Sequence, residues 1–273
     1  GSEMCRRDRY NFTQFVMAIK GAGFVSSKQL NSQMTLDFAY TLYLMLRSDP
    51  TIPNEQIKRH VQKWFVLSTL TSRYIGSPET QMDRDMRNIE EKGFLNFKTE
   101  VEASTLSETF WTVTLPQNLE TSSVNSPAFN TFLAAQINLN CNSLLMKGTK
   151  ISDLITISGD IHHIFPRNYL KKNGVDNKTK YNQVANYIYL DTQVNKAIGD
   201  DPPFAYFSKV REQCRTKAIT LGNISDEETL YCNLEENSIP QHIISMDITD
   251  YESFLQERRK LMAKLMQRYY LEL

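Results

Sequence analysis

Apolar residues return at helical spacing along most of this chain, and one short stretch in the middle breaks the pattern. Phe12, Phe15, Val16 and Ile19 share a helix face, as do Leu36, Ala39, Leu42, Tyr43 and Leu46, and then Ile57, Val61, Trp64 and Phe65. Pro53 and Ser77-Pro78-Glu79 stand where helices begin. Ser126-Pro127 starts another helix through Phe129, Phe132, Leu133 and Ile137, and Lys147-Gly148 closes the helical first half. Between Gly93 and Leu119 the period weakens, and short helices or connections are expected there. The tail from Tyr251 to Tyr270 is one amphipathic helix, N-capped by Thr249 or Asp250. Its stripe of Phe254, Arg258, Leu261, Met262, Leu265 and Tyr269 reads as core packing.

The interruption carries Ile155, Ile157, Ile161 and Ile164 around Gly159, β-branched residues that suit a strand or hairpin. Asn186 to Leu190 reads as a second short strand, and Thr192 to Ala197 as a helix stopped by Gly199 ahead of Pro202-Pro203. The local order is strand, loop, strand, helix. The expected fold is therefore mainly α with a small α+β insert: a helical domain over 1–147, an embedded element over 148–210, and a C-terminal helical segment over 211–273 packing on the rest.

Charge and cysteine usage exclude several classes. Lys+Arg and Asp+Glu each total 31 of 273 residues, so no global basic field announces a nucleic-acid partner and any such contact must come from a local patch. Cys5, Cys141, Cys214 and Cys232 form no CxxC pair, which argues against a zinc cluster and against a disulfide framework. The most apolar run, Phe38 to Leu46, falls well short of the roughly 20 residues of a membrane span. Arg6, Arg7 and Arg9 precede no apolar run, so no signal peptide is read. A cytoplasmic protein without a membrane partner is expected. Gly1-Ser2 reads as the remnant of a removed tag, and the chain as part of a longer one.

The chain has four histidines, and two are neighbours in Asp160-Ile161-His162-His163-Ile164-Phe165-Pro166-Arg167. Adjacent strand residues face opposite ways, so two core histidines side by side would each need separate polar partners; a site at a strand end relaxes that demand. Asn186 and Asn195 come later in the chain, both with an amide oxygen able to meet a hard metal or accept a hydrogen bond. His242, in an apolar Ile-Pro-Gln-His-Ile-Ile context, reads as a hydrogen-bonded structural residue. His60 reads as a solvated residue on the exposed side of a helix.

The segment from Asp160 to Pro203 resembles the HNH (ββα-metal) endonuclease motif. In that family a strand-end Asp or His binds a metal, the next His is the general base, an Asn orients it, and a His or Asn on the following helix completes the metal site. The resemblance implies His163 as base, Asn186 as its partner, and His162 and Asn195 as metal ligands. Asp160, two residues before His162, is either a direct ligand or an outer-shell partner. A nitrogen ligand with a neutral amide suits Mg²⁺ less well than a carboxylate does, so Mn²⁺ or another transition metal stands beside Mg²⁺ as the implied cofactor.

Further stretches resemble the C-terminal half of GmrSD-type restriction proteins, which join a ParB-like nucleotide-binding domain to a helical region and an HNH nuclease. They are Trp64-Phe65, Ser72 to Glu79, Val184 to Leu190, Asn195 to Asp200, His242-Ile243-Ile244 and Tyr251 to Leu255. The resemblance implies cleavage of foreign, often base-modified DNA in anti-phage defence, with a ParB-like domain of the same longer chain as partner. No Asp-Gly-Gln-Arg-like motif or P-loop occurs, so no nucleotide is expected in this part. Arg167, Lys171, Lys172, Lys178 and Lys180, against a single Asp176, form a locally basic loop beside the site, with Lys196 on the helix; these are the candidate DNA contacts. Arg258, Arg259, Lys260, Lys264 and Arg268 offer a second basic face. Two other readings stay open, a catalytically inactive module binding DNA or a partner, and a nuclease directed at RNA.

Overall fold

In the computed structural model, which describes residues 3–157 and 161–273, the apolar periodicity becomes helices whose ends are set by local chemistry. α1 (Glu3–Gly21) leads through a 3-10 turn, closed by a Ser26–Gln29 capping box, to α2 (Gln33–Ser48). Ser32 caps α2 by accepting from the Thr35 amide, and α3 (Asn54–Leu70) starts behind Pro53. α4 (Pro78–Lys92) carries its proline in the first turn and runs to Gly93, directly before α5 (Phe94–Thr105). A π-helical turn and the single turn α6 (Leu115–Asn118) precede α7 (Pro127–Asn138).

The chain divides into two compact units. The first takes the chain up to Thr114, Asn125–Asn138 and Met266–Leu273. Its core is built where α2, α1 and α7 pack on α3, around buried Phe38, Leu42, Trp64, Phe65, Phe129 and Phe132. One polar network lies within it. Asp85 accepts two hydrogen bonds from Arg73, at 2.7 and 2.6 Å, and one from the Tyr74 hydroxyl at 2.8 Å. That hydroxyl in turn accepts from the Trp64 indole at 3.0 Å. The network ties the turn after α3 to α4.

The second unit takes Leu115–Val124 and Leu139–Leu265. After α8 (Ile151–Ile157) come β1 (Ile161–His163), α9 (Arg167–Lys172), α10 (Lys178–Tyr181), β2 (Tyr187–Tyr189) and α11 (Thr192–Ile198). α12 (Pro203–Thr216), α13 (Glu227–Glu236) and α14 (Tyr251–Glu272) complete it, the last turns of α14 passing to the first unit. Asn233 of α13, and Asn237 just past its end, hold the segment before α8, bonding to the main chain of Asn142, Ser143 and Leu145. Gly222 lets that segment approach closely, since a Cβ there would stand 2.1 Å from the Leu145 carbonyl oxygen.

The molecule is thus mainly helical with a small two-stranded antiparallel sheet, β1 with β2. Residues 211–265 lie in the same unit as 148–210. Ile155 and Ile157 belong to a helix rather than a strand. Ile151, Leu154 and Ile155 stand three and four apart on one face of α8, Ile151 buried and the other two half-buried, and α8 contacts β2. Burial of that face outweighs the β-branched preference of Ile155, while Ile157 ends the helix exposed. The α14 stripe is buried at Phe254, Arg258, Met262, Leu265 and Tyr269. The chain enters α14 through a 3-10 turn, Ile248–Asp250, that Asp247 caps in a capping box with Asp250. Among the described residues no helix is long and apolar enough to cross a membrane.

Candidate functional site

The two histidines sit on β1, with His162 opposite Ile188 and His163 opposite Tyr187 in the antiparallel register. The turn that leaves β1 is fixed by Asn186, which is fully buried. Its carbonyl accepts from the Ile164 amide at 2.9 Å and its Oδ1 from the Phe165 amide at 2.8 Å. Its Nδ2 donates to the carbonyls of Phe165 and Tyr181 at 3.1 and 3.3 Å. Phe165 is wedged against Tyr251 and Phe254, and the Tyr206 hydroxyl donates to the Ile164 carbonyl. The strand end therefore has little freedom to move.

α11 brings the helical residue of the site. Asp191 caps it by accepting from the Gln193 and Val194 amides, Val194 and Ile198 anchor its apolar face, and Gly199 ends it. Asn195, half-buried, lies on the side that faces β1 and the start of α9. Together these elements enclose an open cleft of about 320 Å³ lined by His162, His163, Arg167, Asn168, Asn195 and Asp200, among others. Four residues singled out in the sequence, His162, His163, Arg167 and Asn195, are thus brought to one place from three elements.

His163 is half-buried, its ring edge-on to Tyr187 with centroids 5.3 Å apart. Its Nε2 lies 2.9 Å from Oδ1 of Asn182. Burial lowers its pKa, with further lowering from Arg167 and His162, and the Asn182 hydrogen bond opposes the shift. The neutral imidazole is the favoured form, which leaves one ring nitrogen as a proton acceptor. The expected partner, Asn186, is not the one that holds the ring, because both ends of its amide are committed to main-chain groups. Asn182 takes that place.

Asp160 lies outside the described residues. Among the described residues no group of three or more His, Cys, Asp or Glu side chains forms a metal cluster. His162 and Asn195 offer one imidazole and one amide oxygen at the same cleft. One imidazole and one neutral amide suit a transition-metal ion better than Mg²⁺, and any divalent ion held there would draw its other ligands from water and phosphate oxygens.

The basic residues differ in availability. Arg167 lines the cleft, and Lys171, Lys172, Lys178, Lys180 and Lys196 are exposed. They lie on α9, α10 and α11 rather than in a loop. Lys171 rests over the Tyr181 ring, and Lys172 pairs with Asp200 at 3.3 Å in an exposed contact. The second basic face is narrower than expected: Lys260, Lys264 and Arg268 are exposed, but Arg258 and Arg259 are buried. Arg258 is 1% exposed and donates to the carbonyls of Ala185, Tyr187 and Asn237, while Arg259 is tied to Gln183 and Glu120. Burial lowers the pKa of Arg258 to about 9, so the guanidinium stays charged at neutral pH.

The remaining histidines differ from each other in exposure. His60 is not solvated: its ring meets Phe94 edge-on, and both ring nitrogens are buried without a hydrogen-bond partner among the described residues. His242 has the polar partner expected of it, with Nε2 3.0 Å from the Glu257 carboxylate, but its side chain is exposed. Three polar residues of the site had no assigned role in the sequence, Asn168, Asn182 and Asp200. Asp200 carried one signal, its place directly after the glycine that ends the site helix. Asn182 carried none beyond the local run of asparagines at 173, 177, 182 and 186. The chain matches no protein-family model, no curated protein and no solved structure.

Proposed function

We propose that this chain is an endonuclease of the HNH type that hydrolyses DNA phosphodiester bonds at the His162–His163 cleft. The observation that carries the reading is the convergence of His162, His163, Arg167 and Asn195 on one open cleft beside a row of exposed lysines. Neutral His163 takes a proton from a water molecule, and the hydroxide oxygen forms a bond to phosphorus. The bond from phosphorus to the 3′ oxygen breaks with its electron pair on that oxygen, which is then protonated by solvent. Arg167 balances charge on the phosphate, and Lys171, Lys178, Lys180 and Lys196 grip neighbouring phosphates without reading sequence. His162 and Asn195 would hold a divalent ion, Mg²⁺ or Mn²⁺, with Asp160 as a third ligand; when bound, the ion supplies positive charge to the phosphate and the departing oxygen.

The resemblance to GmrSD-type proteins extends the proposal to modified DNA as substrate and to a ParB-like domain of a longer chain as partner, acting in anti-phage defence in the cytoplasm. The test is nicking of supercoiled plasmid with Mg²⁺ or Mn²⁺. His163→Ala is expected to lose at least about 100-fold in rate, the usual share of a general base, and EDTA to abolish cutting. Cutting by His163→Ala at the parent rate, unaffected by EDTA, overturns the reading. Competition between RNA and DNA identifies the preferred backbone, and metal-independent binding with no cleavage marks an inactive binding module.

A further inference from the structure

We propose that Asn182 is the residue that positions His163, fixing the proton on Nε2 and leaving Nδ1 as the base nitrogen. The inference rests on the nuclease reading for its consequence in catalysis, while the tautomer itself is a property of the folded chain.

The geometry gives the reason. Nε2 of His163 lies 2.9 Å from the amide oxygen of Asn182, so in the neutral ring Nε2 carries the hydrogen and donates it. The ring is also set against Tyr187, which limits its rotation. Asn186, the asparagine that the motif implies for this task, spends its oxygen on the Phe165 amide and its nitrogen on two carbonyls. Asn182 occupies the C-cap position of α10, where its own backbone amide bonds to Lys178, so the side chain springs from an anchored turn.

An oxygen acceptor at Nε2 matters most once the ring is charged. When Nδ1 takes a proton from water, both ring nitrogens become donors. The bond to the Asn182 oxygen then persists and strengthens, because it is now charge-assisted. An amide turned the other way, donating through Nδ2 to a bare Nε2, would face an N–H of the imidazolium and oppose the same step. Asn182 does not line the cleft, so it acts through the ring and not on the substrate.

The experiment combines a spectroscopic readout with kinetics. With ¹⁵N-labelled histidine, at about pH 8 where an ordinary imidazole is neutral, the parent should show the His163 proton on Nε2 as an exchange-protected resonance. Asn182→Ala should lose that protection and lower kcat by about 10- to 100-fold, the usual effect of removing an orienting partner, with KM little changed. Asn182→Asp keeps an oxygen acceptor in place and should retain both the resonance and most of kcat. A parent proton on Nδ1, or an unchanged resonance and kcat in Asn182→Ala, overturns the proposal. A protected Nε2 proton that Asn182→Ala removes, in a parent that cuts no DNA, supports the positioning role and removes the nuclease reading instead.

Discussion

Asn186 concentrates more structure in one side chain than any charged residue near the cleft. It is fully buried, and its amide answers one N–H and two carbonyls that border the histidine strand. Only an amide can both donate and accept there, so Asn186→Asp is nearly isosteric yet turns two donated bonds into oxygen–oxygen repulsions. The expected cost is about 3 kcal/mol, the scale for buried polar groups left without partners. Because the Ile164 amide bonds the Asn186 carbonyl and the Phe165 amide its side chain, hydrogen exchange at those two amides is the direct readout. Both should exchange roughly 100-fold faster in Asn186→Asp, the factor to which that free energy converts. Unchanged protection at Phe165 would show that the strand end is held by other contacts.

At the scale of elements, the turn between α3 and α4 depends on an ion pair that hydrophobic spacing could not reveal. Asp85 is 1% exposed and receives Arg73 through both arms of its guanidinium, while Arg73 also lies over the Trp64 and Phe97 rings. Breaking such a pair from one side strands a buried charge, at a cost of about 3 to 5 kcal/mol. Asp85→Ala should therefore lower the urea midpoint strongly when unfolding is followed by tryptophan fluorescence, since Trp64 is linked to Asp85 through the Tyr74 hydroxyl. Removing both charges together should cost much less than the sum of the two single changes. What was legible here was periodic: the stripes of α2, α3, α7 and α14 arise from burial of one face, and the capping and proline signals mark their starts. Ile155 misled because β-branching is a weak preference beside burial of one face of α8, and Ile157, 82% exposed, simply continues that helix to its end. Arg258 misled because a run of basic residues looks the same whether it meets water or three main-chain carbonyls. In the cleft, His162, His163, Arg167 and Asn195 were legible as a motif. Asn182 was not, because its role is set by a contact nineteen residues away in the chain.

For the whole molecule, equal numbers of acidic and basic residues leave no net charge to drive the chain apart at neutral pH, so acid sensitivity must arise at particular buried groups. His60 is one. Burial lowers its pKa, Lys98, Arg59 and Lys63 add to the lowering, and Glu102 opposes it. With a folded-state pKa below the ordinary 6.5, the unfolded chain takes up this proton first as pH falls. Stability linked to His60 is therefore complete above about 6.5, declines as pH drops through that value, and stops declining once the folded ring is protonated too. His163, lowered by burial in the other unit, contributes with the same sign. The two can be separated, because Trp64 packs on Phe94, the ring that His60 meets. His60→Leu removes a buried imidazole whose nitrogens have no partners, so at neutral pH the protein should be as stable as the parent or more so by up to about 1 kcal/mol. Thermal unfolding followed by tryptophan fluorescence between about pH 5 and 8 should then show a shallower loss on acidification in His60→Leu than in the parent. Parallel curves for the two proteins would mean that His60 titrates alike in the folded and unfolded chain, and that the burial of its ring nitrogens carries no cost.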